Sequence, residues 1–384
     1  MNADQPDVEE TDQRGLVSRG RDLFRKFLQL QAFQILLILI IILVIFSLLA
    51  PQHFPTWGNA RQVLQNMSIL AVMGIGMTFV IITAGIDLSI GSVLVFSGVI
   101  SAMTMRALGS QGWGVVIIGG IVAVCGGAAW GVLNGVIVAK MKVPPFIVTL
   151  GTYGAALGLA LVMTGGVDLY NVPSVLVSAV GYGNIPGTTI PILVLIATIL
   201  LVAFGILLHR TEFGLHVFAI GSSEEAARRV GVKVDQKLIL VYTISGALAG
   251  FASILSLAEF NSTAIGGQTQ TNLNVISAVV IGGTSLFGGI GSMFGTAVGL
   301  SIPAVLQNGF VIVGVQPYWQ YVAVGVIVIL AVFIDQRRRL SAARPRRRPR
   351  SVGTNWDRLA TKFGHSRTHT SSTANESDVE PSHP

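Results

Sequence analysis

Ten stretches of this chain are apolar over roughly the length that crosses a lipid bilayer: 33–50, 63–83, 92–106, 114–139, 146–164, 190–208, 238–257, 273–287, 292–309 and 318–334. A spanning helix needs roughly 20 apolar residues to cross ~30 Å of hydrocarbon, where the backbone must satisfy its own hydrogen bonds. Only 11% of the residues are charged, against about a quarter in a soluble domain. The chain is therefore expected to be an all-α polytopic membrane protein with about ten transmembrane helices. The runs at 92–106 and 273–287 are short. The glycine-rich stretch near 282–291 reads as a broken or re-entrant helix.

Charge orients the spans. With the N-terminus in the cytoplasm, the inside segments are 1–32, 84–91, 140–145, 209–237, 288–291 and the tail, and they hold 23 of the 25 Lys and Arg. Arg61 and Arg106 alone fall outside. Arginines far along the tail lie beyond the reach of the positive-inside rule, but Arg337, Arg338 and Arg339 follow the last span directly. Both termini are expected in the cytoplasm.

The chain divides into a cytoplasmic leader (1–32), a transmembrane domain (33–334) and a basic cytoplasmic tail (335–384). The tail is rich in Arg, Ser, Thr and Pro with almost no apolar runs, so it is expected to be disordered. Its eight arginines between 337 and 350 either hug anionic head groups or simply anchor the topology. The net charge of +7 does not indicate nucleic acid, because the basic residues flank membrane spans and make no basic face. The first apolar run follows a long polar leader and reads as an uncleaved helix. The single cysteine, Cys125, sits in an apolar run and is expected to be a small buried side chain.

One inside segment breaks the apolar pattern. Of 16 charged residues between 28 and 334, nine lie between Arg210 and Lys237. Within it, Ser222 and Glu225 match an S-x-x-E capping box, and Gly231 stands where a short helix would end. Ala226, Ala227 and Val230 would form an apolar patch, with Glu224, Glu225, Arg228 and Arg229 facing outward. Two turns of helix are not stable alone. Either the segment docks a cytoplasmic partner, or it is a solvated loop with an incidental capping box.

Three further stretches are informative. In AGIDLSIGS (84–92), Asp87 is the only acidic residue among the first five spans and the inside loops joining them. An ionisable group at membrane depth is a functional candidate; equally, Asp87 or Ser89 caps the next helix. In NGVIVAKMKVPPFIVTLGTYG (134–154), Pro144–Pro145 starts a helix. There Asn134 either bonds across helices or faces a polar path, and Thr149 and Thr152 bond their own helix carbonyls or line that path. In ISAVVIGGTSLFGGIGSMFGTAVG (276–299), seven glycines permit close helix approach or local unwinding. The tripeptide IGS opens a span at 90–92 and again at 290–292, a hint of internal duplication. Asp87, Ser89, Asn134, Thr149, Thr152 and Asn274 are thus candidates for a translocation path or for structural turns.

Taken in series, AGIDLSIGS, NGVIVAKMKVPPFIVTLGT, GSSEEAARRVGV, VVIGGTSLFGGIGSMFGTAVG and PYWQYVAVGVIVILAVFIDQRRR resemble the permease subunit of ribose-type sugar ABC importers, from about Pro51 to Arg339. That resemblance implies a type II importer fold of about ten helices and two permease subunits, as a homodimer, around one path. It implies a cytoplasmic sugar-type ATPase, which binds ATP and magnesium, and an extracytoplasmic sugar-binding protein. It places the ATPase-coupling helix at Gly221, Ser222, Ser223, Glu224, Glu225, Ala226, Ala227, Arg228 and Val230. The basic tail departs from the family pattern.

The sequence has no G-x-x-x-x-G-K-[ST] phosphate cradle and no H-E-x-x-H zinc motif. No cofactor, metal site or catalytic residue is expected in this chain, so an ATP-driven importer would take its ATPase from another chain. The competing class is a proton- or ion-coupled secondary transporter using Asp87 or Glu259. A non-transporting membrane scaffold comes third.

Overall fold

A computed structural model describes residues 31–316 except 171, 269 and 270, together with part of 319–337. The leader and the tail lie almost entirely outside the described residues, as does about half of the run at 318–334.

The described chain is helical: α1 (Gln31–Leu49), α2 (Trp57–Ile82), α3 (Ile90–Leu108), α4 (Trp113–Lys140), α5 (Pro145–Thr164), α6 (Ile192–Arg210), α7 (Glu212–Ser222), α8 (Glu224–Arg229), α9 (Val234–Phe260), α10 (Thr271–Ile281) and α11 (Met293–Val313). Among the described residues seven of these are long and apolar enough to cross a membrane: α2, α3, α4, α5, α6, α9 and α11. α1 and α10 are apolar but give shorter described apolar stretches. The run 92–106, short in the sequence, extends in the structure to the 19 residues of α3. The run 273–287 stops early, because the backbone leaves the helix at Gly282 and Gly283 takes a φ of +98°. The broken helix expected near 282–291 is present.

Local chemistry sets several boundaries. Thr56 caps α2, its hydroxyl accepting from the Asn59 amide. Pro145 occupies the first position of α5, where its missing N–H costs nothing. Between α5 and α6 the turn at Ser174–Leu176 runs into a π-helix over Val177–Gly181.

α2 is the central helix. In its apolar window 89% of the residues are buried, against 17% in α6, which lies at the periphery. The main core gathers Met73, Phe79, Ile82, Leu94, Val241 and Leu300 around it. The most extensive helix pair is α4 against α9, and glycine sets its spacing. A Cβ on Gly127 would lie 2.2 Å from the Gly246 carbonyl oxygen, and one on Gly246 would lie 2.2 Å from that of Gly127. Lipid tails are as apolar as leucine, so helices in a bilayer associate through such close packing rather than through a hydrophobic drive. Cys125, on the same helix, is exposed on the outer side rather than buried, because the buried face of α4 is taken by its glycines and Ala123.

The loops sort into two groups, as the charge pattern requires. The segments expected to lie inside meet at one end: Ile82 accepts from the Gly289 amide (2.9 Å), and Lys142 pairs with Glu224. At the other end Arg61 donates to the Tyr182 carbonyl (2.9 Å), Ser174 to Gln111 (2.8 Å) and Thr263 to Asp168 (3.1 Å).

Candidate functional site

The site is at the end where Lys142, the α7–α8 segment and the 282–292 turn converge. Two polar assemblies occupy it, one buried and one exposed.

The buried assembly forms around the turn that links α2 to α3. Ala84 takes a φ of +60°, a conformation few non-glycine residues adopt. The turn is held by side chains. Asp87 Oδ1 accepts from the Ser89 amide (3.0 Å) and the Ser89 hydroxyl (2.6 Å), and Oδ2 accepts from the Ser245 hydroxyl (3.0 Å). Asn134 Nδ2 donates to Ser89 Oγ (2.9 Å), so α4 and α9 are both tied to the turn. Asp87, Ser89, Asn134 and Ser245 are all at most 2% exposed. A buried carboxylate without its donors would cost several kcal/mol, and here three donors meet it, with no cation in contact among the described residues.

Ser89 is the N-cap residue of α3, but its side chain makes no cap bond and donates to Asp87 instead. Ser92 donates to the Ser89 carbonyl (2.8 Å) from inside α3, whereas Ser292 caps α11. The two IGS tripeptides therefore sit three positions out of register in their helices. Thr149 reaches the Ile86 carbonyl (3.0 Å) as well as that of Pro145 (2.9 Å). Thr152 bonds only within its helix, at Val148 and Thr149. Asn274 is half-buried on α10 and outside this network.

Two members were not anticipated from sequence. Ser245 lies on the face of α9 that also carries Tyr242, Gly246, Ala249 and Gly250, all buried. A polar residue on a small-residue stripe was the available signal. Asn272 donates to the Leu88 carbonyl (3.1 Å), and its partner lies 184 residues away, so no local pattern could reveal the pair.

The exposed assembly is built on α8. Its cap is one residue later than the sequence suggested. Ser223 Oγ accepts from the Ala226 amide (3.2 Å), which makes Ala226 the third helical residue, and there is no capping box. Ser222 instead ends α7, donating to the Phe218 carbonyl (2.9 Å). α7 itself was not anticipated, although Thr211 caps it through the Gly214 amide. At the far end of α8, Gly231 (φ +87°) donates to Arg228 and Val232 to Ala227, closing the helix as expected.

The alanines do not share one patch. Ala227 is 2% exposed and packs with Ala139, Ile220, Val234 and Leu238, whereas Ala226 is exposed and Val230 is 79% exposed. The helix thus anchors through Ala227 and leaves Ala226 and Val230 uncovered, because a turn of 3.6 residues cannot aim adjacent positions at one surface. Glu225 and Arg229 form an exposed pair beside them. Arg228 binds Glu224 Oε1 through Nε (3.1 Å) and Nη2 (2.9 Å), and also contacts Asp235. The hydrogen bonds it donates to Asp235 and then to Glu224 raise the pKa of the guanidinium above its ordinary value, so it stays charged.

Gly221 joins the two assemblies. A Cβ there would lie 1.7 Å from the Ile82 carbonyl oxygen and 2.6 Å from the Gly289 amide nitrogen. The segment carrying α8, the turn carrying Asp87 and the glycine-rich turn therefore meet backbone to backbone, and only glycine fits. Beside this contact is a cavity of about 340 Å³ lined by residues that include Ala84, Lys142, Glu224 and Tyr242. Glu259 belongs to the opposite end, about 36 Å from Asp235 along α9 at 1.5 Å per residue.

Comparison with known proteins identifies the family. The family described as "Branched-chain amino acid transport system / permease component" matches residues 59–332. The ribose import permease of Escherichia coli (strain K12) is 35% identical over 322 residues, covering 83% of this chain and 98% of that protein. The fructose import permease of Rhizobium meliloti is 37% identical over 317 residues, 80% of this chain and 86% of the relative. The D-allose transport system permease of E. coli K12 is 33% identical over 299 residues, 78% and 90% of the two chains. No solved structure matches. Matched over most of its length, this bundle of apolar helices belongs to the branched-chain amino acid transport system permease family.

Proposed function

We propose that this chain is the membrane-spanning permease subunit of an ATP-binding cassette importer for a sugar, of the ribose-like pentose or related monosaccharide class. Its similarity to ribose, fructose and allose permeases over 78–83% of its length carries the reading of substrate class. The exposed helix α8, anchored by Ala227 and joined to the Asp87 turn through Gly221, supports the reading of ATP coupling.

In this reading two copies form a homodimer around one path, with ten helices each and the type II importer fold. A cytoplasmic ATPase supplies ATP and magnesium and docks on Gly221–Val230 through Ala226 and Val230. An extracytoplasmic binding protein delivers the sugar at the opposite end. Both termini lie in the cytoplasm of the inner membrane, and the domains run 1–32, 33–334 and 335–384. Asp87, Ser89, Asn134 and Thr149 hold the turn that Gly221 contacts. Thr152 and Asn274 remain for the path. Loaded binding protein and ATP each bias the pair between inward-open and outward-open states, by no more than their differential affinity for the two.

The test is uptake in vesicles reconstituted with the permease, its ATPase and its binding protein. Uptake of radiolabelled ribose, fructose or allose should require ATP and the ATPase and ignore a proton ionophore. Uptake without ATP that an ionophore abolishes would establish the secondary-transporter reading instead.

A further inference from the structure

Lys142, Glu224, Arg228 and Asp235 form a closed ring of alternating charge. Lys142 Nζ lies 3.5 Å from Glu224 and 3.2 Å from Asp235, and Arg228 bridges the same two carboxylates from the other side. Three separate elements contribute: the α4–α5 turn, α8 and the first turn of α9. All four side chains are 38–55% exposed, so the ring contributes little to stability, as measured exposed pairs do.

A second observation bears on it. Lys142 has a φ of +56° in the turn between Lys140 and Pro144, in the left-handed region that favours glycine. A lysine held there in place of glycine is a local cost without a packing return, since its side chain is exposed. Its ammonium is what the position gains, and that ammonium closes the ring. Both Lys142 and Glu224 also line the cavity beside Gly221.

We infer that this ion ring positions α8 relative to α4, α5 and α9, so that displacement of α8 by the ATPase is passed to the bundle instead of being lost in local movement. Lys142 and Asp235 are then positioning residues for coupling, acting through α8 without touching sugar or nucleotide. The inference rests on the reading of α8 as the ATPase dock.

The experiment is the amount of radiolabelled sugar imported per ATP hydrolysed in the reconstituted importer, with permease–ATPase association measured in parallel. Lys142→Gly removes the ammonium while suiting the backbone, and Asp235→Asn removes a charge at nearly constant shape. Each should lower sugar per ATP about fivefold, the scale of an interaction near 1 kcal/mol. Neither should change association by more than about twofold, because neither residue is on α8. Lys142→Arg should retain coupling. Raising salt should lower the ratio in the native protein by screening the ring, and should do little in Lys142→Gly. A merely structural role predicts none of this, since Lys142→Gly relieves the turn. Ala226→Arg, which puts a long charged side chain on the exposed docking face of α8, should block association; given that, an unchanged ratio in Lys142→Gly and Asp235→Asn overturns the inference. If Ala226→Arg binds the ATPase normally, the docking reading itself fails.

Discussion

The residues around Asp87 and those around Arg228 form two four-membered polar assemblies at the same end of the bundle, about as different in environment as one protein allows. The first is at most 2% exposed, uses one charge and three neutral side chains, and draws on the α2–α3 turn, α4 and α9. The second is half in water, uses four charges, and ties α8 to its neighbours. Burial decides what each can do. A hydrogen bond whose loss strands a buried donor holds a fold, whereas an exposed ion pair can be made and broken at little cost. The first assembly fixes the turn; the second suits an element that moves.

The largest effect should come from the buried side. Asp87→Ala leaves the Ser89 amide, the Ser89 hydroxyl and the Ser245 hydroxyl without their acceptor. At about 1–3 kcal/mol for each stranded donor, this should lower the thermal midpoint of the detergent-purified protein sharply. Asn134→Ala removes one donor to Ser89 and should cost about 1 kcal/mol by the same measurement.

This contrast also marks what the sequence could disclose. Asp87 was legible because a lone acid in apolar surroundings is conspicuous, and Asn134 for a similar reason. Ser245 and Asn272 were not, because a serine or asparagine near a glycine stripe looks like packing, and their partners lie 158 and 184 residues away. Seven of the ten expected spans were legible because hydrocarbon imposes a fixed length, and their boundaries shifted by at most six residues, whereas the run at 273–287 ends at Ile281. The register of α8 was not. Ser222 and Ser223 are adjacent, both can cap, and the choice depends on where α7 ends, which no capping pattern specifies. Ala226 and Ala227 were equally indistinguishable until packing turned one of them inward.

The exposed side should respond weakly in stability. Arg228→Ala breaks both of its pairs, yet should shift the unfolding midpoint by no more than about 1 kcal/mol, and by less at high salt. A loss as large as that of Asp87→Ala would mean that the ring is structural after all, and the contrast between the two assemblies would collapse.

The claim underlying the whole account is that α8 faces the cytoplasm and is covered there by an ATPase. Ser223 caps that helix and is exposed, and replacing it by cysteine, with Cys125 changed to serine to remove background, provides a probe of its side. A membrane-impermeant thiol reagent should leave this variant unlabelled in intact cells. It should label it in inverted vesicles stripped of ATPase, and label it less once the ATPase is added back. Labelling in intact cells would contradict the account, because it would put α8 on the face where no ATP is available.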